Sequence, residues 1–464
     1  MSDPSLHERL SGVDWGIATG HAVAAPPSAI ARARTCAPID SDHARRWSED
    51  IRAVVGESPG VHRIVAGWQY LQPDGPRSWN AAALGRCDRA LDAILERGDR
   101  PGLTLLHMAL PPWLQDGGGW LSRDTAQHYA DYAARLRERF ADRVALWITS
   151  SDLSAVVLTD YIAGLSPTGR CLGAAGLPAV HHLLLATGLG AQALSGVPGK
   201  VGTTITLMGG YPATTDPWDR LAVERMETWA HRLYLDPMLL GTHLVTEDGD
   251  SPVEATGCVL PGDMEIITAR QDVLGLSWHC PSRFSAPENL PRTFPAQGRF
   301  GALNDLNRLL ARVGFAVVPF DDVETSAAGW PIIPEGLADA VASLHAMYGD
   351  RLPPLHITDN GMADPDTGTD ADTDTGTARR RASLAARLSW LTGVMSYGVE
   401  LSGYEYWSKR DNLEWRLRYS QLYGGAVPSG SEPEQPSIPR DWVHEDVFTD
   451  GQHPATFGSL AAAH

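Results

Sequence analysis

Short apolar, β-branched runs alternate along this chain with segments whose apolar residues recur every three or four positions. The first run is Gly12–Gly16, followed by helical periodicity over Asp42–Val55. Val61–Trp68 precedes a helix over Asn80–Glu96, Gly102–His107 one over Asp124–Phe140, and Val144–Thr149 one over Pro178–Leu194. Val201–Leu207 leads to helical pattern at Asp219–Tyr234, and Asp272–Trp278 to helices at Phe300–Val313 and Glu335–Tyr348. Leu355–Thr358 comes next, with a helix at Arg379–Ser396, and Glu400–Trp407 is the eighth run.

Eight strand–helix units in one series, without a composition break, predict an α/β chain folded as a single (β/α)8 TIM barrel. One barrel domain over residues 1–464, with long βα loops, is the expected organisation. An open doubly wound sheet is the competitor, but it wants a GxGxxG turn after its first strand and none stands there. Asp364–Asp374 carries five aspartates and one apolar residue, Ala371, so 364–378 reads as a disordered acidic surface loop. A calcium loop there would need a closing Glu and flanking helices. Pro428–Ser437 is loop-like in the same way.

In such a barrel the reactive groups sit at the C-terminal ends of the strands. Those ends offer Arg63 after the second strand, His107 after the third, and Thr149-Ser150-Ser151-Asp152 after the fourth. The sixth offers Ser277-Trp278-His279, the seventh Asp359 in a strand that turns at Asn360-Gly361, and the eighth Trp407, with Glu414 and Trp415 beyond it. Asp152 and Asp359 then face each other across one mouth. A carboxylic acid opposite a carboxylate is what glycosidic bond cleavage needs: one gives a proton to the leaving oxygen, the other attacks or activates water. Rim tryptophans suit the apolar face of a sugar ring.

Net charge narrows the partners. At −18 the chain would be repelled by nucleic acid or an anionic membrane. No apolar run approaches the ~20 residues that cross a bilayer, and Met1–Ser5 has neither the basic nor the apolar region of a signal peptide. Five scattered cysteines without CxxC spacing imply reduced thiols and a cytoplasmic setting, with no zinc site and no other metal. Cys280 lies near the site but lacks a base to activate it. No cofactor motif is present, so a small sugar or sugar-like metabolite is the expected partner.

Longer motifs resemble glycoside hydrolase family 1, the β-glucosidase-like retaining enzymes. The likeness runs from Trp15-Gly16-Ile17-Ala18-Thr19 to Gly424. It includes His107-Met108-Ala109-Leu110-Pro111 for the family's HWDLP, Gly118-Gly119-Trp120, and Trp330-Pro331-Ile332-Ile333-Pro334-Glu335-Gly336-Leu337. Gly403-Tyr404-Glu405-Tyr406-Trp407-Ser408 runs on to Asp411-Asn412-Leu413-Glu414-Trp415, similar to GYxxWSxxDNxEW. The resemblance implies a sugar clamp of Arg63, His107, Trp407, Glu414 and Trp415.

The departures are as informative. The acid/base motif TxNEP stands as Thr149-Ser150-Ser151-Asp152-Leu153 and the nucleophile motif TENG as Thr358-Asp359-Asn360-Gly361, so the resemblance implies Asp in place of both catalytic Glu. Val23 falls where the family has its glycone Gln, and Ser277-Trp278-His279 where it has NYY. His279 has two readings, a hydrogen-bond partner of Asp359 or a satisfied rim histidine. Each Asp is one methylene, ~1.5 Å, shorter than Glu. Two retractions could widen a retaining pair from ~5–5.5 Å to ~7–8 Å, within the inverting range. Ordinary β-glucosidase activity is therefore expected to be weak or absent. The expected function is acid–base chemistry on an unusual glycoside, acetal or sugar-like secondary metabolite, by hydrolysis, cyclisation, elimination or acetal formation. A non-catalytic carbohydrate-binding barrel is the alternative.

Overall fold

The computed structural model describes residues 4–22, 24, 49, 51–56, 60–162, 170–246, 248–290, 307–308, 310–320, 322–326, 330–362 and 375–407. Val23, Asp411, Glu414, Trp415, the acidic stretch 363–374 and the segment 428–437 lie outside them, as does most of the helix expected at 300–313.

Eleven strands are described, numbered here in chain order: β1 (Asp14–Ala22), β2 (Val61–Val65), β3 (Arg100–His107), β4 (Leu146–Ser151), β5 (Lys200–Thr206), β6 (Gly210–Pro212), β7 (Val273–Ser277), β8 (Ser282–Ser285), β9 (Ala316–Val318), β10 (Leu355–Asn360) and β11 (Leu401–Tyr406). Eight of them close a ring in the order β1-β11-β10-β7-β5-β4-β3-β2, every pairing parallel. This is the expected (β/α)8 barrel. Val61, Leu146, Ile148 and Val273, at or near the starts of their strands, form a small apolar cluster of their own. Helices cover the outside through regular apolar stripes. In Asp124–Phe140, for example, Ala126, Tyr129, Ala133, Leu136 and Phe140 are all buried, and that helix packs on Leu177–Ala193.

Several expectations need correction. Arg63 is not at a strand end; it is the third residue of β2, paired with Ala18 and Gly102, and only its long side chain reaches the site. β10 does not turn after Asp359. It runs through Asn360, whose side chain donates to the Trp278 carbonyl at 2.9 Å and whose carbonyl accepts from Trp407 N–H at 3.0 Å. The helix expected from Arg379 begins at Thr375, inside the stretch read as acidic loop. The helical pattern at 219–234 is broken into Pro217–Glu227, a π turn at Thr228–Arg232 and a short turn Leu233–Leu235. One apolar run does reach membrane-spanning length: Gly173–Ala193, broken up in sequence by glycines and two histidines, is 21 residues, and its most apolar window is 78% buried within the protein.

A three-stranded sheet in the order β6-β8-β9 was not expected. Its strands are too short for any alternation to show. Asp219 ties it down, accepting from Ser285 Oγ at 2.9 Å, Ala286 N–H at 2.9 Å and Asn289 Nδ2 at 3.0 Å.

Candidate active site

β4 ends at Ser151, and Asp152 turns into the left-handed region at φ 59° and ψ 45°. Aspartate enters that region more readily than most side chains. The turn aims a buried carboxylate at β3 and β5. Thr206 Oγ1 donates to Asp152 Oδ1 at 2.9 Å, and His107 Nε2 lies 3.3 Å from Oδ2. Burial opposes ionisation here, but His107, the field of His279 and the Thr206 hydroxyl outweigh it and bring the carboxyl down to about 2.

Asp359 is the fifth residue of β10, opposite Ser277 of β7. Arg63 Nη2 donates to its Oδ2 at 2.8 Å and to the Thr358 carbonyl at 2.6 Å. Arg63 Nη1 donates to Thr104 Oγ1 at 2.8 Å, and Nε to Glu405 Oε2 at 2.5 Å. Burial raises Asp359 to about 7; Arg63 pulls against that, while the Asp152 and Glu405 charges add to it. Arg63 itself is buried, which disfavours its charge, but the carboxylates of Asp359 and Glu405 hold its proton more firmly than usual. The charge of Asp152 bears on Asp359, and the two carboxyls are shifted in opposite directions, Asp152 down and Asp359 up.

Glu405 is absent from the residues chosen at the sequence level. It stands inside β11 between two buried tyrosines, Tyr404 and Tyr406, and a search of strand ends passes over it. The signal was there: a Glu in the middle of an otherwise apolar buried strand must find a cation. Thr104 and His356 lie inside β3 and β10 and were missed for the same reason, whereas Thr206 ends β5 and was within reach of a reading of strand ends.

The other expected residues fall around this centre. Ser151 is buried and pairs in register with His107. Ser277 Oγ lies 3.4 Å from His279 Nε2. The His279 ring sits against two tryptophans, with centroids 4.9 Å from Trp407 and 5.5 Å from Trp330. Its field lowers the proton affinity of Asp152. Trp407 follows β11 directly and is buried. Among the described residues no three His, Cys, Asp or Glu side chains gather as a metal-holding group.

The sequence profile of glycosyl hydrolase family 1 matches residues 22–441. The chain belongs to that family. A family 1 relative, thermostable β-glucosidase B of Thermobispora bispora, is 33% identical over 402 residues, 85% of this chain and 77% of the relative. The bifunctional β-D-glucosidase/β-D-fucosidase of Bifidobacterium breve is 30% identical over 83% of each chain. In structure, the psychrophilic β-glucosidase of Micrococcus antarcticus matches with a TM-score of 0.69 at 29% identity over 92% of each chain. Family 1 membership makes glycosidase chemistry the frame within which this site is read.

Proposed function

We propose that this family 1 protein is a divergent glycosidase in which Asp152 and Asp359 work as a proton-transfer pair. Its substrate is an unusual glycoside, acetal or sugar-like secondary metabolite, and plain β-glucosidase activity is weak or absent. The carrying observation is that two buried carboxyls are held by different partners, Asp152 by Thr206 and His107 and Asp359 by Arg63, and these surroundings shift Asp152 down and Asp359 up. Paired groups pushed apart in this way divide into acid and base. Family membership supports a glycosidase reading, and within it both aspartates are read as standing in for the catalytic Glu of the retaining enzymes. A relative in Thermotoga maritima, 25% identical, has been solved with a cyclophellitol analogue transition state mimic, which supports a sugar-shaped ligand for this pocket.

The proton inventory closes. Asp359 gives its proton to the departing oxygen as the C–O bond breaks, and Asp152 takes one from water as the new O–C bond forms. The products are an alcohol and a hemiacetal, and solvent returns the proton from Asp152 to Asp359. With an internal hydroxyl in place of water the same transfers give a cyclic acetal. Ser151, Ser277, His279 and Trp407 surround the substrate in this reading. Among the described residues Cys87, Cys171, Cys258 and Cys280 form no disulfide, and a cytoplasmic setting is part of the reading.

A panel of aryl glycosides and glycosylated metabolites, assayed with wild type, Asp152→Asn and Asp359→Asn, tests the reading. Each substitution should lower turnover by ~10²-fold or more. Unchanged turnover in both variants would falsify it.

A further inference from the structure

We propose that Glu405 is a positioning residue: it holds the Nε edge of Arg63 from inside the barrel, so the guanidinium cannot fully neutralise Asp359, and Asp359 enters the reaction as the proton donor. The inference rests on the acid–base reading above.

One positive charge serves two carboxyls on different strands. Arg63 reaches Glu405 Oε2 at 2.5 Å and Asp359 Oδ2 at 2.8 Å, and it also donates to Thr104 and the Thr358 carbonyl. Glu405 is fully buried, so water cannot take over the charge that Arg63 shares with it. Its other oxygen, Oε1, faces His356 Nε2 at 3.3 Å without a hydrogen bond.

The barrel makes room for this group. A Cβ at position 16 would stand 3.0 Å from Glu405 Cγ, and one at 102 would stand 3.0 Å from Arg63 Cβ. A Cβ at 403 would come within 2.2 Å of the His356 ring. Glycines on three strands therefore clear space for Glu405, Arg63 and His356, the mark of a built polar layer within a barrel that is ordinarily filled by branched apolar side chains.

Charge counting then places the proton. Facing Asp359 are Arg63 from β2, His107 from β3, Asp152 from β4 and Glu405 from β11; His356 on β10 faces Glu405, and His279 beyond β7 bears on Asp152. Asp152 is met by His107 and the field of His279, so Arg63 is left with two carboxyls, and an ionised Asp359 would have to share one guanidinium with Glu405. A proton on Asp359 ends that sharing. The raised proton affinity of that carboxyl agrees.

Isotope-edited infrared difference spectroscopy reads this directly, from the C=O stretch of a protonated carboxyl, with Asp359→Asn identifying the band. In wild type the band should titrate near neutral pH. In Glu405→Gln, with Arg63 left to Asp359, proton affinity should fall at least tenfold. A wild-type midpoint in the ordinary carboxylate range overturns the proposal without any variant, so it stays testable if Glu405→Gln does not fold. An unchanged midpoint in folded Glu405→Gln also overturns it. No substrate is involved, so the result is separate from turnover. Asn variants that keep full turnover defeat the functional reading, and an unchanged midpoint in folded Glu405→Gln defeats the Glu405 role while leaving that reading in place.

Discussion

Arg63 joins Asp359 and Glu405, touching the first through Nη2 at 2.8 Å and the second through Nε at 2.5 Å. A planar guanidinium can meet two carboxyls along different edges; a lysine ammonium is a single point charge and cannot. Arg63→Met strands two buried carboxyls without a cation and should cost about 3–5 kcal/mol of stability. Arg63→Lys keeps a charge and should cost less. Urea unfolding should rank wild type above Arg63→Lys above Arg63→Met, and a neutral Arg63→Met would show that the network carries no such charge.

Gly403 is the closest of the three cleared positions. Adding a methyl there drives it into the His356 ring, so Gly403→Ala should lose about 1–3 kcal/mol by overpacking. Removing the ring should relieve the clash. The double variant Gly403→Ala/His356→Ala is expected to lose less than the sum of the two single losses. Strict additivity in urea unfolding would place the methyl somewhere other than against His356.

The buried His231 gives a pH-dependent term elsewhere in the fold. Burial lowers its pKa to about 4, against about 6.5 for an unfolded histidine. The unfolded chain therefore binds the extra proton between those values, and stability is lost as pH falls through that window. His231 Nε2 accepts from Met208 N–H at 3.0 Å, and a Gln carbonyl can take the same bond. Between pH 7 and pH 5, wild type should lose about 2 kcal/mol more than His231→Gln. Equal losses in paired urea curves would assign the proton uptake to other groups.

A donor at Asp359 also has a stereochemical consequence. It sets the departing oxygen on the β10 side of the pocket and the attacking water on the β4 side. In a retaining β-glycosidase the nucleophile stands opposite the departing oxygen, and the proposed reading sets Asp359 in that place. Aryl α-glycosides should therefore show higher kcat/KM than their β-anomers. A preference for the β-anomer would count against Asp359 as donor.

Much of this was legible in the sequence, and the rest was hidden for physical reasons. The barrel followed from strand–helix alternation, because each unit needs its neighbour to bury an apolar face. That Asp152, His107 and Asp359 lie at or near the C-terminal ends of their strands was legible from the ends of the apolar runs. Glu405 was legible only as a buried charge that needs a cation; position along β11 gives no hint that the cation is Arg63, a residue on β2 that reaches across the interior. Arg63 itself was noticed but misplaced, since side-chain length conceals where in a strand a guanidinium is rooted. The β6-β8-β9 sheet leaves no trace in periodicity, and its order depends on Asp219, whose partners lie mostly some 66–70 positions further along the chain.

The division of labour between Asp152 and Asp359 is tested most directly by proton NMR of the sugar first released from an activated dinitrophenyl glycoside. A proton-transfer pair delivers water to one face as the leaving group departs from the other. The first-formed hemiacetal should then have the anomeric configuration opposite to that of the glycoside supplied, whichever anomer is turned over. Release with retained configuration would mean a covalent glycosyl intermediate on one of the two carboxylates, and would contradict a water-activating pair.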